Sequence, residues 1–255
     1  EVCYSGSLKK FSECKEVCDP KFQYDSSNCT SNKVLTGNSC GGKYEKCIEP
    51  LQYLYSDRTL SAEIIPGKSV IGIAVDPENR LAVAIDYIMT TGWGGYGIDI
   101  PTLENTPSSG AGVYVRGERD SYLIRDGKAN TAKILAYGRS NGISYPAAEA
   151  AYNYQPGSCS SSSWCGRGNW YLPSNWQVFP YFDNRATIHL MLKAINKMPD
   201  DWWYTRNDFY TVTSNEINAK ESGFIYINTG GMAHGGKNLT EPDNLQTLVL
   251  PYITY

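Results

Sequence analysis

The chain has 255 residues, 41% of them hydrophobic and 19% charged, which is enough for one large domain with or without a small appended module. Its 23 Lys and Arg residues nearly balance its 26 Asp and Glu residues, and the net charge of −3 excludes the basic surface of a nucleic-acid-binding protein and a polybasic membrane-binding segment. The longest apolar stretch, residues 70–75, is too short to cross a bilayer, so we predict no membrane-spanning segment.

The first 50 residues are rich in cysteine. So short a segment cannot bury enough apolar surface to fold without covalent links. A zinc site needs Cys-x-x-Cys pairs or nearby histidine, and no histidine precedes His189. We therefore predict a small disulfide-stapled module at 1–50, without metal, in an extracellular protein whose start at Glu1 we expect to follow removal of a signal peptide. The predicted disulfide-forming residues are Cys3, Cys14, Cys18, Cys29, Cys40, Cys47, Cys159 and Cys165.

A second domain is predicted over residues 51–255, because alternation of apolar and polar residues begins after Pro50. Runs rich in Val, Ile, Tyr and Ala, separated by turn residues, predict two antiparallel β-hairpins. The predicted strand pairs are 69–76 with 80–86, and 112–117 with 121–127.

Two short helices are predicted after these hairpins. The first begins at Asn130 or Thr131, whose side chains can cap a helix, and ends at Gly138. The second spans residues 145–154, with Pro146 in its first turn.

The clearest predicted helix spans residues 184–197, where apolar residues recur at three- and four-residue steps. Strand-like runs follow at 222–231 and 246–255. The segments 200–221 and 229–245 are predicted to be long loops, and long loops in a compact domain are usually functional. The apolar stripe of the helix consists of Ile188, Met191, Leu192, Ile195 and Met198.

Four sequence segments carry a family resemblance. They are "GNWYLPSNWQ" (168–177), "FYTVTSNE" (209–216), "ESGFIYINTGG" (221–231) and "TLVLPYITY" (247–255), with the predicted helix after the first. This order resembles a bacterial surface-protein domain of the C-type-lectin-like family that includes the C-terminal domain of collagen-like adhesins. Over residues 65–255 the resemblance implies an α+β fold, a C-type-lectin-like domain with short helices and antiparallel hairpins.

Two positions depart from the family pattern. Thr211 stands where the family usually has tryptophan, and Leu250 replaces the arginine that precedes the terminal proline. Any binding role of those two family residues is therefore not transferred to this chain.

Candidate catalytic residues are few. His189 lies beside the apolar stripe of the predicted helix, where a structural histidine is expected, and His234 lies in the glycine-rich segment "GGMAHGGKN", which would hold a general base poorly. The chain has no Gly-x-Ser-x-Gly motif, and the glycines at 92–97 lack the lysine of a phosphate-binding loop. We therefore predict that the protein is not an enzyme and has no cofactor.

One weak calcium motif is present. The segment "EPDN" supplies Glu241, Asp243 and Asn244, three of the six to eight oxygen ligands that calcium takes. The downstream partner motif of calcium-dependent lectins is missing, so a turn is the favoured interpretation.

The predicted role is binding or adhesion at the cell surface, to a protein or glycan ligand on another surface. Two alternatives remain open: a structural subunit of an extracellular filament that contacts copies of itself, and a diversified ligand receptor of a diversity-generating retroelement. Aromatic, arginine and asparagine side chains in the late loops are the candidate contacts, because such residues dominate binding energy at interfaces. They are Trp202, Trp203, Tyr204, Arg206, Asn207, Tyr210, Asn228, His234 and Asn238.

Overall fold

The computed structural model divides the chain into two compact units, Glu1–Leu51 and Gln52–Tyr255, which are described separately. The first unit contributes one antiparallel pair, β1 (Val34–Thr36) and β2 (Lys46–Ile48). The predicted disulfides of Cys3, Cys14, Cys18, Cys29, Cys40 and Cys47 lie outside the described side chains and stay predictions. The described residues are 34–36, 46–48, 51–90, 92–106, 113–114, 126–197, 209–226, 232–238 and 246–255.

The second unit contains a five-stranded antiparallel sheet in the order β13-β6-β5-β3-β4. The first predicted hairpin is confirmed as β5 and β6, with Ile73 opposite Val83. The C-terminal strand pairs with β6, so the end of the chain returns to the sheet that opens this unit. The strands are β3 (Gln52–Tyr55), β4 (Leu60–Ser61), β5 (Val70–Asp76), β6 (Leu81–Ala84) and β13 (Tyr252–Thr254).

A six-stranded mixed sheet has the order β7-β12-β9-β10-β11-β8. Only the β12–β9 pair is parallel, and the other four pairs are antiparallel. Of the second predicted hairpin, residues 113–114 form a strand that pairs with β11, while residues 121–125 lie outside the described part. The strands are β7 (Ile88–Thr90), β8 (Val113–Tyr114), β9 (Phe209–Glu216), β10 (Glu221–Tyr226), β11 (Met232–Gly236) and β12 (Gln246–Val249).

The prediction of long loops at 200–221 and 229–245 was wrong where the sheet includes β9 and β11. Strand β9 is central in the sheet, and every described side chain from Tyr210 to Glu216 is buried. Its polar sequence is typical of a loop, but Thr213, Ser214, Asn215 and Glu216 find hydrogen-bonding partners inside the domain, which allows these polar groups to be buried.

The described part of the second unit contains four helices. The first, α1 (Gly127–Asn141), begins where the Asp126 carboxylate accepts a hydrogen bond from the Ala129 amide at 2.9 Å and ends at Gly142 with φ of 67°. The predicted start at Asn130 or Thr131 and the predicted end at Gly138 were therefore wrong. Gly138 lies inside the helix, where an added Cβ would lie 2.6 Å from the Ile143 carbonyl oxygen.

The second helix, α2 (Pro146–Asn153), confirms the prediction of a helix with proline in its first turn. Two consecutive helices then follow, α3 (Asn175–Asp183) and α4 (Arg185–Ala194). The predicted helix at 184–197 corresponds to α4, which buries Ile188 and Leu192, whereas α3 was not predicted.

The described residues of this unit form two hydrophobic cores. One lies between the six-stranded sheet and helices α1 and α2, around Trp93 and Tyr145. The other lies beside the five-stranded sheet, around Trp170 and the predicted Cys159–Cys165 disulfide, which is confirmed. The fold is therefore α+β, and no helix among the described residues is long and apolar enough to cross a membrane.

Candidate functional site

A glycine-rich loop at residues 92–98 lies across the ends of β9, β10 and β11. The Trp93 and Gly94 amides both donate to the Lys237 carbonyl oxygen, at 2.8 and 3.0 Å. The Gly97 amide donates to the Ala219 carbonyl oxygen at 2.8 Å. Gly95 has φ of 62°, and an added Cβ there would lie 2.4 Å from the Tyr145 ring, so glycine is required for the loop to pack this closely.

An ion pair between Lys237 and Glu216 lies beneath this loop, and both side chains are completely buried. The Lys237 ammonium group donates to the Glu216 carboxylate and, at 2.6 Å, to the Ile98 carbonyl oxygen. The other carboxylate oxygen accepts from the Ile100 amide at 3.1 Å. The pair therefore fixes the loop, through Ile98 and Ile100, to strand β9.

Trp93 completes the cluster. Its ring centroid lies 4.9 Å from the Lys237 nitrogen, in a cation–π contact, and its indole N–H donates to the Thr213 carbonyl oxygen at 2.8 Å. The ring also packs edge-on against Tyr145, with 5.5 Å between centroids. An aromatic ring thus covers the charged pair and excludes water from it.

Burial and pairing act in opposite directions on the two charges. Burial raises the pKa of the Glu216 carboxyl group, while the hydrogen bond from Lys237 lowers it. Burial likewise lowers the pKa of the Lys237 ammonium group, which Glu216 raises. Desolvation is the larger influence on each group, so the site favours uncharged forms more than water does.

A hydrogen-bond network on β9 extends away from this pair. The Thr213 hydroxyl donates to the Asn175 side-chain oxygen at 2.5 Å, and the Asn175 backbone N–H donates to the Asn215 side-chain oxygen at 2.8 Å. The Asn215 side-chain amide donates in turn to the Thr106 hydroxyl at 2.8 Å. Because Gly223 leaves no side chain in this space, α3 can approach β9 and β10 closely enough for these bonds.

The outer ends of β9 to β11 form a polar surface, here called the turn surface, made of Tyr96, Asn218, Glu221, His234 and Asn238. Tyr96, Asn218 and Asn238 are exposed, Glu221 is half-buried, and the His234 side chain is mostly buried, with 13% exposure. The Tyr96 side chain is 51% exposed. Glu221 accepts from the Asn218 side-chain amide at 2.7 Å and lies 3.2 Å from the His234 ring nitrogen Nδ1. The turn surface thus combines aromatic, acidic, imidazole and amide groups on a rigid base.

The structure places the predicted contact residues in different environments. His234 and Asn238 lie on the turn surface. Tyr210 was predicted as a contact residue, but it is completely buried and its hydroxyl group bonds to that of Thr247 at 2.7 Å, so it belongs to the core. Trp202, Trp203, Tyr204, Arg206, Asn207 and Asn228 lie outside the described residues, and their role stays a prediction.

Sequence reasoning missed the buried cluster and part of the turn surface. Lys237 and Glu216 are 21 residues apart with no motif around either, so nothing in the sequence indicates that they meet. Tyr96 stands in the repeated glycines that marked the loop, and that signal could have suggested an exposed aromatic residue. The two positions that depart from the family pattern, Thr211 and Leu250, are both buried.

Metal binding has no support in the described part of the chain, where no group of three or more His, Cys, Asp or Glu side chains could hold an ion. The weak calcium triplet of Glu241, Asp243 and Asn244 lies outside that part, so it stays untested.

No family model and no curated protein matches the sequence. Among solved structures, a fimbrial protein from Bacteroides ovatus ATCC 8483 is similar, with a TM-score of 0.50 and 13% sequence identity. The matched region covers 80% of this chain and 48% of that chain, so this chain spans about half the length of the fimbrial protein. At this identity the similarity concerns the path of the backbone.

Proposed function

We propose that this chain is a non-enzymatic subunit of a bacterial surface assembly, which works by contacting copies of itself or a ligand on another surface. The observation that carries the proposal is the shared backbone fold with a fimbrial protein over 80% of this chain. The match covers 48% of that protein, so the proposal draws only on the matched part.

Burial of ionisable groups supports a non-enzymatic role. Lys237 and Glu216 have the surroundings of a perturbed catalytic pair, yet neither side chain is reachable from solvent. Catalysis needs the reacting group within hydrogen-bonding distance of a substrate. The pair is instead placed to hold the 92–98 loop.

Exposed apolar side chains support a role in contacts. Four large ones are about half exposed or more, and one of them, Met89, lies on β7 at the edge of the six-stranded sheet. Strand edges with exposed apolar side chains are surfaces on which another chain can pair. The four residues are Ile64, Met89, Tyr96 and Leu190.

The C-type-lectin-like assignment is part of the same proposal. Its support is the order of elements: the Trp170 segment leads into α3, whose start has a reciprocal capping box between Ser174 and Gln177. Strands β9, β10, β12 and β13 then follow in the order of the family motifs. The Cys159–Cys165 disulfide supports an extracellular location, because disulfides persist in oxidising compartments.

A second candidate function is adhesion to a protein or glycan ligand, with a diversified receptor as its specialised form. The observation that favours adhesion is the turn surface, where Tyr96 and Asn238 are exposed beside the Glu221–His234 pair. The contact role predicted for Trp202, Trp203, Tyr204, Arg206, Asn207 and Asn228 remains part of this candidate function.

Electron microscopy of native material tests the proposal. Filaments sheared from the producing cells are labelled with gold-conjugated antibody raised against the 52–255 unit and imaged in negative stain. We expect gold along the filaments or at their tips, and the pre-immune antibody is the control. Label confined to detached protein, with bare filaments, would contradict assembly.

A further inference from the structure

The buried contact between Lys237 and Glu216 has surroundings that fit an amide group better than an ion pair. We propose that the two side chains are joined by an isopeptide bond, formed by condensation of the Lys237 amine with the Glu216 side-chain carboxyl group. The bond is a covalent modification site inside the domain and does not depend on the proposed function.

The count of hydrogen-bonding groups supports the amide. A lysine ammonium group has three N–H donors. Among the described residues, only the Glu216 carboxylate and the Ile98 carbonyl oxygen accept from it, and the face of the Trp93 ring covers another side at 4.9 Å. A secondary amide has one N–H and one carbonyl oxygen. The Ile98 carbonyl oxygen, 2.6 Å from Lys237 Nζ, and the Ile100 amide, 3.1 Å from Glu216 Oε2, provide one acceptor and one donor in the required places.

Burial favours the reaction. Both side chains have no solvent exposure, so the separated charges lose their hydration, whereas an amide carries no charge that needs it. Burial also raises the pKa of Glu216 and lowers that of Lys237, which favours the neutral acid and the neutral amine. Groups held in contact by a folded protein react as if present at about 10⁵–10⁸ M.

The condensation is balanced with these groups alone. Lys237 transfers one proton to Glu216 Oε1, and the freed nitrogen electron pair forms a bond to the carboxyl carbon. Negative charge develops on Oε2, where the Ile100 N–H stabilises it. The bond between the carbon and Oε1 then breaks, and Oε1 takes a second proton from nitrogen and leaves as water. One N–H remains, directed at the Ile98 carbonyl oxygen.

The bond would join the end of β9 to the residue that follows β11. These strands both flank β10 and are otherwise connected by backbone hydrogen bonds. A covalent link between them prevents the two strands from separating when the chain is pulled.

Mass spectrometry of the folded wild-type protein tests the bond. The protein is reduced, alkylated and digested with trypsin, which cuts after Lys220. We expect one branched peptide in which 207–220 is attached through Glu216 to Lys237 of the 221–255 peptide, lighter by one water than the sum of the two. Cleavage after Lys237 should be absent. The branched peptide, and not the mass of the intact protein, is the evidence for the bond. Cyclisation of Glu1 or of the Asp126–Gly127 pair also removes one water from the intact mass.

Two variants complete the test. Lys237→Met should lose the branched peptide. Lys68→Met, which removes the partner of Asp57 in an exposed ion pair of 2.6 Å, should retain it. Linear peptides of full mass from the wild-type protein, with cleavage after Lys237, overturn the proposal, as does a branched peptide that persists in Lys237→Met.

Discussion

Lys237 and Glu216 illustrate how a polar residue can be structural. Each makes contacts that bring a loop and a strand together, and each would be strongly destabilising if its partner were absent. Trp93 depends on the same arrangement, because its ring covers the ammonium group and its indole N–H bonds to β9. We therefore assign these three residues to the support of the turn surface.

Replacing Lys237 with methionine leaves the Glu216 carboxylate buried without its partner. We expect a loss of about 3–5 kcal/mol in the free energy of unfolding, measured by denaturant titration. Lys68→Met, which removes an exposed charge, should leave the unfolding midpoint close to that of the wild-type protein. Equal midpoints for the two variants would show that the buried pair does not support the fold.

The same variant should depend on pH in a defined direction. In the wild-type protein the hydrogen bond from Lys237 lowers the pKa of Glu216. Without it, burial leaves the pKa of Glu216 higher in the folded chain than in the unfolded chain. A carboxyl group of this kind stabilises the fold below its unfolded pKa, and the stabilisation is lost as pH rises through the folded value. The deficit of Lys237→Met relative to wild type should therefore be smaller near pH 4 than near pH 8. A deficit that grows in acid contradicts this account.

Tyr210 and Tyr96 have opposite roles. Tyr210→Ala removes a buried ring and leaves the Thr247 hydroxyl without its bond, so we expect it to cost about 3–5 kcal/mol of stability. Tyr96→Ala removes a half-exposed ring and should change stability by less than about 0.5 kcal/mol. Thermal unfolding of the two variants checks the contrast. A Tyr210→Ala protein as stable as wild type would contradict the assignment of Tyr210 to the core.

At the scale of elements, predictions succeeded where the sequence signal is local. The hairpin of β5 and β6 was predicted because turn residues separate two apolar runs, and α2 because proline precedes an alanine-rich segment. The start of α1 was misplaced because Asn130 and Thr131 are also good caps. The Asn130 side chain instead bonds to Ser214, which only the tertiary fold brings near, and the Thr131 hydroxyl bonds to the Gly127 carbonyl oxygen one turn earlier in the same helix.

Strand β9 and helix α3 were missed for a different reason. Thr213 and Asn215 of β9 can be buried because α3 and the 92–106 segment supply their partners, which lie about 40 or more residues away in sequence. Helix α3 contains Pro180, which usually ends a helix, and its length became evident only from the packing of Val178 and Phe182. Long-range partners of this kind leave no periodic pattern in the sequence.

Gln177 connects the starts of two helices and provides a test at this scale. Its side-chain oxygen accepts from the Ser174 amide at 2.9 Å and from the Gly127 amide at 3.1 Å. Gln177→Ala leaves both amides buried without an acceptor, so we expect a loss of about 1–3 kcal/mol. Ser174→Ala, which removes the helix cap but keeps that acceptor, should cost about 1 kcal/mol. Denaturant titration checks the order, and the reverse order would contradict the proposed link between α1 and α3.

The Cys159–Cys165 disulfide closes a short loop beside the second core. Replacing both cysteines with alanine should cost about 2 kcal/mol on the chain-entropy model. The Trp170 indole N–H donates to the Cys165 carbonyl oxygen at 2.8 Å, so fluorescence of Trp170 should report the change. Unchanged stability with unchanged fluorescence would mean that packing alone holds the loop.

At the scale of the whole molecule, the α+β class could be predicted, while strands β9 and β11 and helix α3 could not. The contact role predicted for His234 and Asn238 stays a prediction, and the structure places His234 on β11, mostly buried, and Asn238 in the exposed turn that follows. Tyr96 joins them from a segment more than 130 residues earlier, through the bond between Gly97 and Ala219. The surface therefore depends on the sheet that brings these segments together.

The account predicts that this chain is needed in a surface assembly. The most direct measurement is to delete its gene in the producing cell and to compare the number and length of surface filaments, and adhesion, by electron microscopy and binding assays. We expect loss of filaments or of adhesion, and recovery when the wild-type gene is returned. Filaments and adhesion that are both unchanged in the deletion strain would contradict the central claim.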